Sequence, residues 1–280
     1  MFPADSFWHA EVAAVATHPG STAWRNTIGA GKGLKADFGS GTWDGGPIGI
    51  PFNTVGAGQP FVGVSFDYDD ESDPGPYPVS PNAAREYGGD HHVLTVDTST
   101  CRLYEMFDAD LGGDGTWHAG SGAVFDLRSN AQRPAGWTSA DAAGLAILPG
   151  LVRYEEVAAG EVDHVIRFTA PLTQSSYLWP ATHEASSSTD PARPPMGAWF
   201  RLRADYDTSW MAPQARVIAE ALKVHGMILA DNGSSWYLSG APDERWDNDA
   251  LRQLASIKGA DLTAIDASTI MVDPSSGTTR

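Results

Sequence analysis

Apolar residues along this chain alternate with polar ones in short runs, and recur at helical spacing mainly near the C-terminus. In "PFVGVSFDY" (60–68), Val62, Val64 and Phe66 share one face. "GAVFDLRSN" (122–130), "VDHVIRFTAP" (162–171) and "MGAWFRLRADYD" (196–207) show the same period of two, as half-buried strands do. "YLWPATH" (177–183) reads as a further strand interrupted by Pro180. "MILADNGSSWYLSG" (227–240) reads as a hairpin. "APQARVIAEALKVHG" (212–226) predicts a helix with Pro213 in its first turn, an apolar face of Val217, Ile218, Ala221 and Leu222, and Gly226 as its stop. "DNDALRQLASIKG" (247–259) predicts a second, capped by Asp247 or Asp249 and closed by Gly259. "LVRYEEVAAG" adds one or two helical turns ending at Gly160.

Many short strands bounded by turn signals predict a mainly β protein, a β-sandwich of jelly-roll type with long loops and two helices near the C-terminus. No alternating βα series argues for a parallel sheet. One domain over 1–280 is expected, with 1–60 as an extended, loop-rich segment pinned on it by Phe7, Trp8, Trp24, Phe38 and Trp43. "DDESDPGPYPVSPNA" is an acidic loop that cannot pair in a sheet, and "DADLGGDG" (108–115) is a solvated hairpin turn.

"GGDHHVLTVDTSTCRLYEMFDAD" (88–110) reads as two strands joined by a polar turn. A loop at Asp97-Thr98-Ser99-Thr100 pairs Val96 with Cys101, Leu94 with Leu103, and His92 with Glu105. This register predicts an imidazole opposite a carboxylate on the interior face, with His164 approaching the same cavity. A carboxylate buried there must be paired, protonated or metal-bound.

Composition narrows the partners. A formal charge of -17, from 35 acidic and 18 basic residues with no basic stripe, argues against nucleic acid and polyanionic glycans. Ten Trp, ten Phe and eight Tyr supply anchors for a core and rings for a sugar cleft. Cys101 is the sole cysteine, so no intrachain disulfide forms. No window is apolar enough to span a membrane. "MFPADSFWHAEV" has neither a charged n-region nor an apolar h-region, and reads as a start placed where a leader was removed. A secreted monomer is expected.

Carboxylates and histidines carry the candidate chemistry. Glycoside hydrolysis needs two carboxyl groups, one raised in pKa to protonate the leaving oxygen and one ionised. Glu105 beside an imidazole is the candidate acid or base, Asp126 or Asp141 its partner, and His92 and His164 would orient them. Asp126 can instead pair with Arg128 or Arg133, and Asp141 can cap a helix. Trp137 and Trp179 would stack on sugar rings, with His183 and Tyr104 also lining the substrate site. A rival reading gathers His92, Glu105, His164 and His183 around a divalent metal in a cupin-like oxidoreductase, although the cupin spacing is missing. No cofactor is required by the first reading. A non-catalytic carbohydrate-binding module would use the same aromatics. A Ser-His-Asp hydrolase finds no G-x-S-x-G, and a lyase built on Tyr104, Arg167 and Arg201 is disfavoured by the acidic surface.

"GWTSADAAGLAILPGLVRYEEVAAGEVDHVIRFTAP", with "YLWPATHEASSSTDPARPPMG" and "ALKVHGMILADNGSSWYLSG", resembles a group of largely uncharacterised secreted bacterial β-rich proteins, sometimes associated with carbohydrate-binding modules. The resemblance runs from "FPADSFW" to "MVDP". It implies an extracellular, polysaccharide-related setting and supplies no catalytic residues.

Overall fold

Two sheets organise the computed structural model, which describes residues 1–280. The four-stranded sheet runs Ser121–Asp126, Arg102–Phe107, Val93–Asp97 and Phe52–Val55, its last pair parallel and the others antiparallel. Alternation sends Leu94, Leu103, Ala123 and Phe125 into a large core shared with the second sheet. Val93, Tyr104 and Met106 face the other way, into a small core that includes Tyr77 and Trp117. A three-stranded sheet of Val64–Phe66, Trp117–Ala119 and Asp110–Leu111 contributes to that second core. The hairpin turn expected at 108–115 joins two of those strands.

The six-stranded sheet has the spatial order Lys35–Ala36, Tyr237–Leu238, Ile166–Ala170, Met227–Asn232, Trp199–Leu202 and Leu262–Ala264, and it curls into a half-barrel. Two of its pairings are parallel: Ile166–Ala170 with Met227–Asn232, and Lys35–Ala36 with Tyr237–Leu238. The architecture is therefore α/β with several mixed sheets, 25% strand and 18% helix, and not a clear jelly roll. Helix Pro213–Val224 packs on strand Trp199–Leu202 and on helix Asn248–Arg252, and the side chain of Asp247 caps the latter. No helix is long and apolar enough to cross a membrane.

Several sequence expectations change here. The 227–240 hairpin does not form, because strand Ile166–Ala170 lies between Met227–Asn232 and Tyr237–Leu238 and bonds to both. Ile166 and Phe168 are fully buried, and a strand so covered gains most from a central place. No strand occurs at 177–183, apart from an isolated bridge from Tyr177 to Met196. The segment 1–60 includes a helix, Ser21–Ile28, and short strands. Phe7, Trp8, Trp24 and Phe38 are anchors as expected, but Trp43 is 77% exposed. The last predicted helix is shorter: Asn248–Arg252 passes into a 3-10 turn at Gln253–Ser256, and Gly259 opens the next turn rather than closing this one.

Candidate functional site

His92 and Glu105 both point into the large core, but they do not face each other. Asp97 accepts hydrogen bonds from the Ser99 and Thr100 hydroxyls, which places the turn at Thr98–Cys101 and Cys101 at φ 54°. Leu94 therefore lies opposite Glu105, and Val96 opposite Leu103. The true register is displaced by two residues from the expected one, and a displacement of two leaves every side chain on its own face. His92 packs instead on the Phe107 ring, with centroids 5.8 Å apart.

Glu105 is sealed. Its two oxygens accept the Ile147 and Leu148 N–H groups at 2.8 and 2.9 Å, where the chain enters the turn Leu148–Gly150. Burial pushes its carboxyl up to about 7, against the pull of those two N–H groups. With no solvent exposure, it holds backbone and cannot meet a polysaccharide.

The carboxylates that meet solvent beside His92 are different ones. A cleft of about 440 Å³ runs between the His92 end of the four-stranded sheet and the edge of the six-stranded sheet. Asp37, Glu86, Asp90, His92, Arg167 and Asp231 line it, with Trp43, Tyr87 and Tyr237 as its aromatic wall. Trp43 and Tyr87 are 77% and 52% exposed, so neither is there to fill a core. The Tyr87 ring lies so close over Gly46 that a Cβ there would stand 1.9 Å from it, and its hydroxyl donates to the Asp44 carbonyl at 2.7 Å. Gly46 is thus required for that ring to brace the short hairpin in which Thr42–Trp43 pairs with Gly46–Pro47.

Arg167 forms the cleft floor. It donates to both oxygens of Asp141 at 2.7 Å, to Asp231 at 3.1 Å and to the Ser239 hydroxyl at 2.7 Å. Burial alone would lower its pKa, but Asp141 and then Asp231 hold it well above the usual arginine range. Half-buried Asp231 follows the buried run "MILA", and burial raises its carboxyl to about 6, with the Asp141 charge adding and Arg167 opposing. Asp37 is also raised by burial, with Lys35 opposing.

His92 Nδ1 lies 2.5 Å from Glu86 Oε2, and its Nε2–H donates to the Ala140 carbonyl at 3.1 Å. Burial would raise the Glu86 carboxyl and lower the His92 imidazole, but their mutual hydrogen bond reverses both shifts. The chain reaches this geometry through a Gly88-Gly89 loop closed by a bond from Glu86 N–H to the His92 carbonyl at 2.9 Å.

Of the remaining sequence candidates, Asp141 lies beneath the cleft floor and the others lie apart from it. Asp141 is buried as the partner of Arg167, neither a cleft acid nor a helix cap. Asp126 is tied to Arg128 at 3.1 Å and lines a separate groove of about 610 Å³ with Tyr104. His164 sits between the Val165 carbonyl and Glu156, and its imidazole is pushed down to about 3 by burial and by Arg153. His183 donates to the Ala142 carbonyl at 2.7 Å. The four-ligand centre of His92, Glu105, His164 and His183 is therefore not assembled: each of these groups has its own separate partners. Trp137 lies 5.6 Å from the Arg133 guanidinium, and Trp179 donates to the Ser276 carbonyl while packing on Phe7. Arg201 is held by the Val12 and Val15 carbonyls.

Of the sequence candidates, the cleft retains His92 and, as the floor, Asp141 and Arg167. It adds Asp37, Glu86, Asp90, Asp231, Trp43 and Tyr87. One signal for these was present: "EYGGDHH" spaces an acid, an acid and an imidazole around a glycine pair. No family model, curated protein or solved structure matches the chain, so the functional reading rests on the cleft itself.

Proposed function

We propose that the protein is a secreted carbohydrate-active enzyme that cleaves glycosidic bonds of a neutral polysaccharide in this cleft. The observation that carries the reading is Asp231, a carboxyl lifted to about 6 and opening on a cleft walled by the exposed ring of Trp43. A carboxyl raised to about 6 keeps its proton in mildly acidic solution, where it can pass it to a leaving glycosidic oxygen. Asp231 is the general acid, oriented by Arg167, and Asp37 supplies the second carboxylate. Trp43 and Tyr87 offer flat apolar faces to sugar rings, and Thr169, Asn232 and Ser234 offer hydrogen bonds to hydroxyls. An acidic cleft suits an uncharged glycan and repels a polyuronate.

The test is release of new reducing ends from a panel of neutral plant and microbial polysaccharides. Asp231→Asn should lower kcat by about 10²–10⁴, the usual contribution of a general acid. Trp43→Ala should act mainly on KM. Undiminished hydrolysis by Asp231→Asn would remove the assignment. A second reading, a non-catalytic carbohydrate-binding module, is favoured by the exposure of Trp43. It would appear as glycan retention without product, lost in Trp43→Ala and unchanged in Asp231→Asn.

A further inference from the structure

We infer that Glu86, Asp90 and His92 form a binding site for one divalent cation of the zinc or manganese class at the rim of the cleft. One ligand atom from each residue can be chosen so that all three lie within 4.8 Å of one another. The imidazole carries the argument. Its Nε2 faces the Ala140 carbonyl, which can only accept, so that nitrogen bears the hydrogen. Its Nδ1–H donates to Glu86 Oε2 at 2.5 Å, so two ligand atoms already converge on one point, and a divalent cation would displace the proton between them and take both as ligands. A histidine whose far nitrogen is fixed by a backbone carbonyl is the usual support of a metal ligand, because it settles both tautomer and ring direction.

The backbone is arranged for this as well. The bond from Glu86 N–H to the His92 carbonyl ties the ends of the loop, and Gly88, at φ 142°, lets it turn between them. Ligands about 2.0–2.2 Å from a tetrahedral cation stand roughly 3–3.5 Å apart, so Glu86 moves outward slightly and the exposed Asp90 inward. A mixed set of one imidazole and two carboxylates suits zinc or manganese, whereas calcium takes oxygen ligands alone. Three protein ligands leave a position open toward the cleft, where a water or a sugar hydroxyl can bind.

The inference rests on the cleft being the functional site, but binding is measured without turnover. Chelator-stripped full-length protein is titrated calorimetrically with Zn²⁺, Mn²⁺ and Ca²⁺, in parallel with thermal melts. One equivalent of Zn²⁺ or Mn²⁺ should bind. Asp90→Asn, at an exposed position that leaves the fold intact, should weaken it at least about tenfold, and Glu86→Gln should weaken it further. No uptake of either ion, uptake equal in both variants, or preference for Ca²⁺ would overturn the site. Metal binding without any glycan hydrolysis would uphold it while removing the hydrolase reading.

Discussion

His92 and His164 are both buried, each between a glutamate and a backbone carbonyl and near an arginine, yet their pKa values move in opposite directions. At the cleft, Glu86 stands 2.5 Å from His92, and the Arg167 charge is directed into Asp141 and Asp231. Away from it, Glu156 is shared with Arg153 and reaches His164 only at 3.3 Å. Arg153 has no second carboxylate in contact and otherwise donates to the Leu148 and Leu151 carbonyls. His92 is raised, whereas His164 falls to about 3. Burial lowers both imidazoles, so the outcome depends first on the glutamate: Glu86 bonds His92 closely enough to overcome burial and the Arg167 charge, whereas at His164 the Arg153 charge adds to burial. The cleft uses an additional pair of aspartates to leave its histidine and glutamate to each other.

The sharpest way to break this contrast is Arg167→Met, which leaves Asp141 charged and without its bidentate partner in the interior. A loss of about 3–5 kcal/mol in urea unfolding at neutral pH is expected. A loss below about 1 kcal/mol would mean that the Asp141 pairing is not what the cleft floor depends on.

Glu105→Gln comes next, and it also tests whether this residue holds backbone or does chemistry. An amide cannot accept both the Ile147 and Leu148 N–H groups, so at pH 5 stability should fall by about 1–3 kcal/mol. Because the folded pKa of about 7 lies above the ordinary 4.5, the unfolded chain loses its proton first as pH rises. The contribution of Glu105 is therefore fully present below 4.5 and is lost as pH climbs through about 7. The deficit of the variant should shrink between pH 5 and pH 8. Turnover per folded molecule should be retained, and its loss would return Glu105 to the catalytic site.

Arg153→Met sharpens the comparison from the other side. Removing that charge and releasing Glu156 should raise the His164 titration by roughly one unit, followed by proton NMR of the imidazole. In the wild type, His164 should remain neutral from pH 8 down to pH 5. Its depressed pKa contributes stability that is present above 6.5 and lost as pH falls toward about 3. The smallest effect belongs to Asp126→Asn: a solvent-facing pair with Arg128 should give no measurable change in melting temperature or glycan cleavage.

Local rules carried the sequence reading some distance. The cap at Asp247, the stop at Gly160 and the strand at Ile166–Ala170 depend on near neighbours, and all three are present. Face assignment in the 88–110 hairpin also held, since an error of two residues does not change parity; the cross-strand partners did not, because Asp97 drew the turn one residue along. Asp231 and Asp37 stayed hidden for a different reason. Their neighbours come from distant strands, and hydrophobic alternation carries no information about which strand lies beside which. Asp141 looked like a turn acid because nothing in "TSADAAG" reveals an arginine arriving from residue 167.

The insertion of Ile166–Ala170 between two strands that follow one another closely in sequence also sets the timetable of assembly. Met227–Asn232 and Tyr237–Leu238 are held apart by a strand made long before either. Asp231, Tyr237 and Arg167 therefore come together only through contacts of long sequence separation, which form late and slowly compared with hairpins. Of the cleft lining, the Glu86–His92 loop is the part closed by near neighbours. The cleft floor is complete only once the six-stranded sheet has closed, and a protease that cuts between these strands would open the cleft without touching one of its side chains.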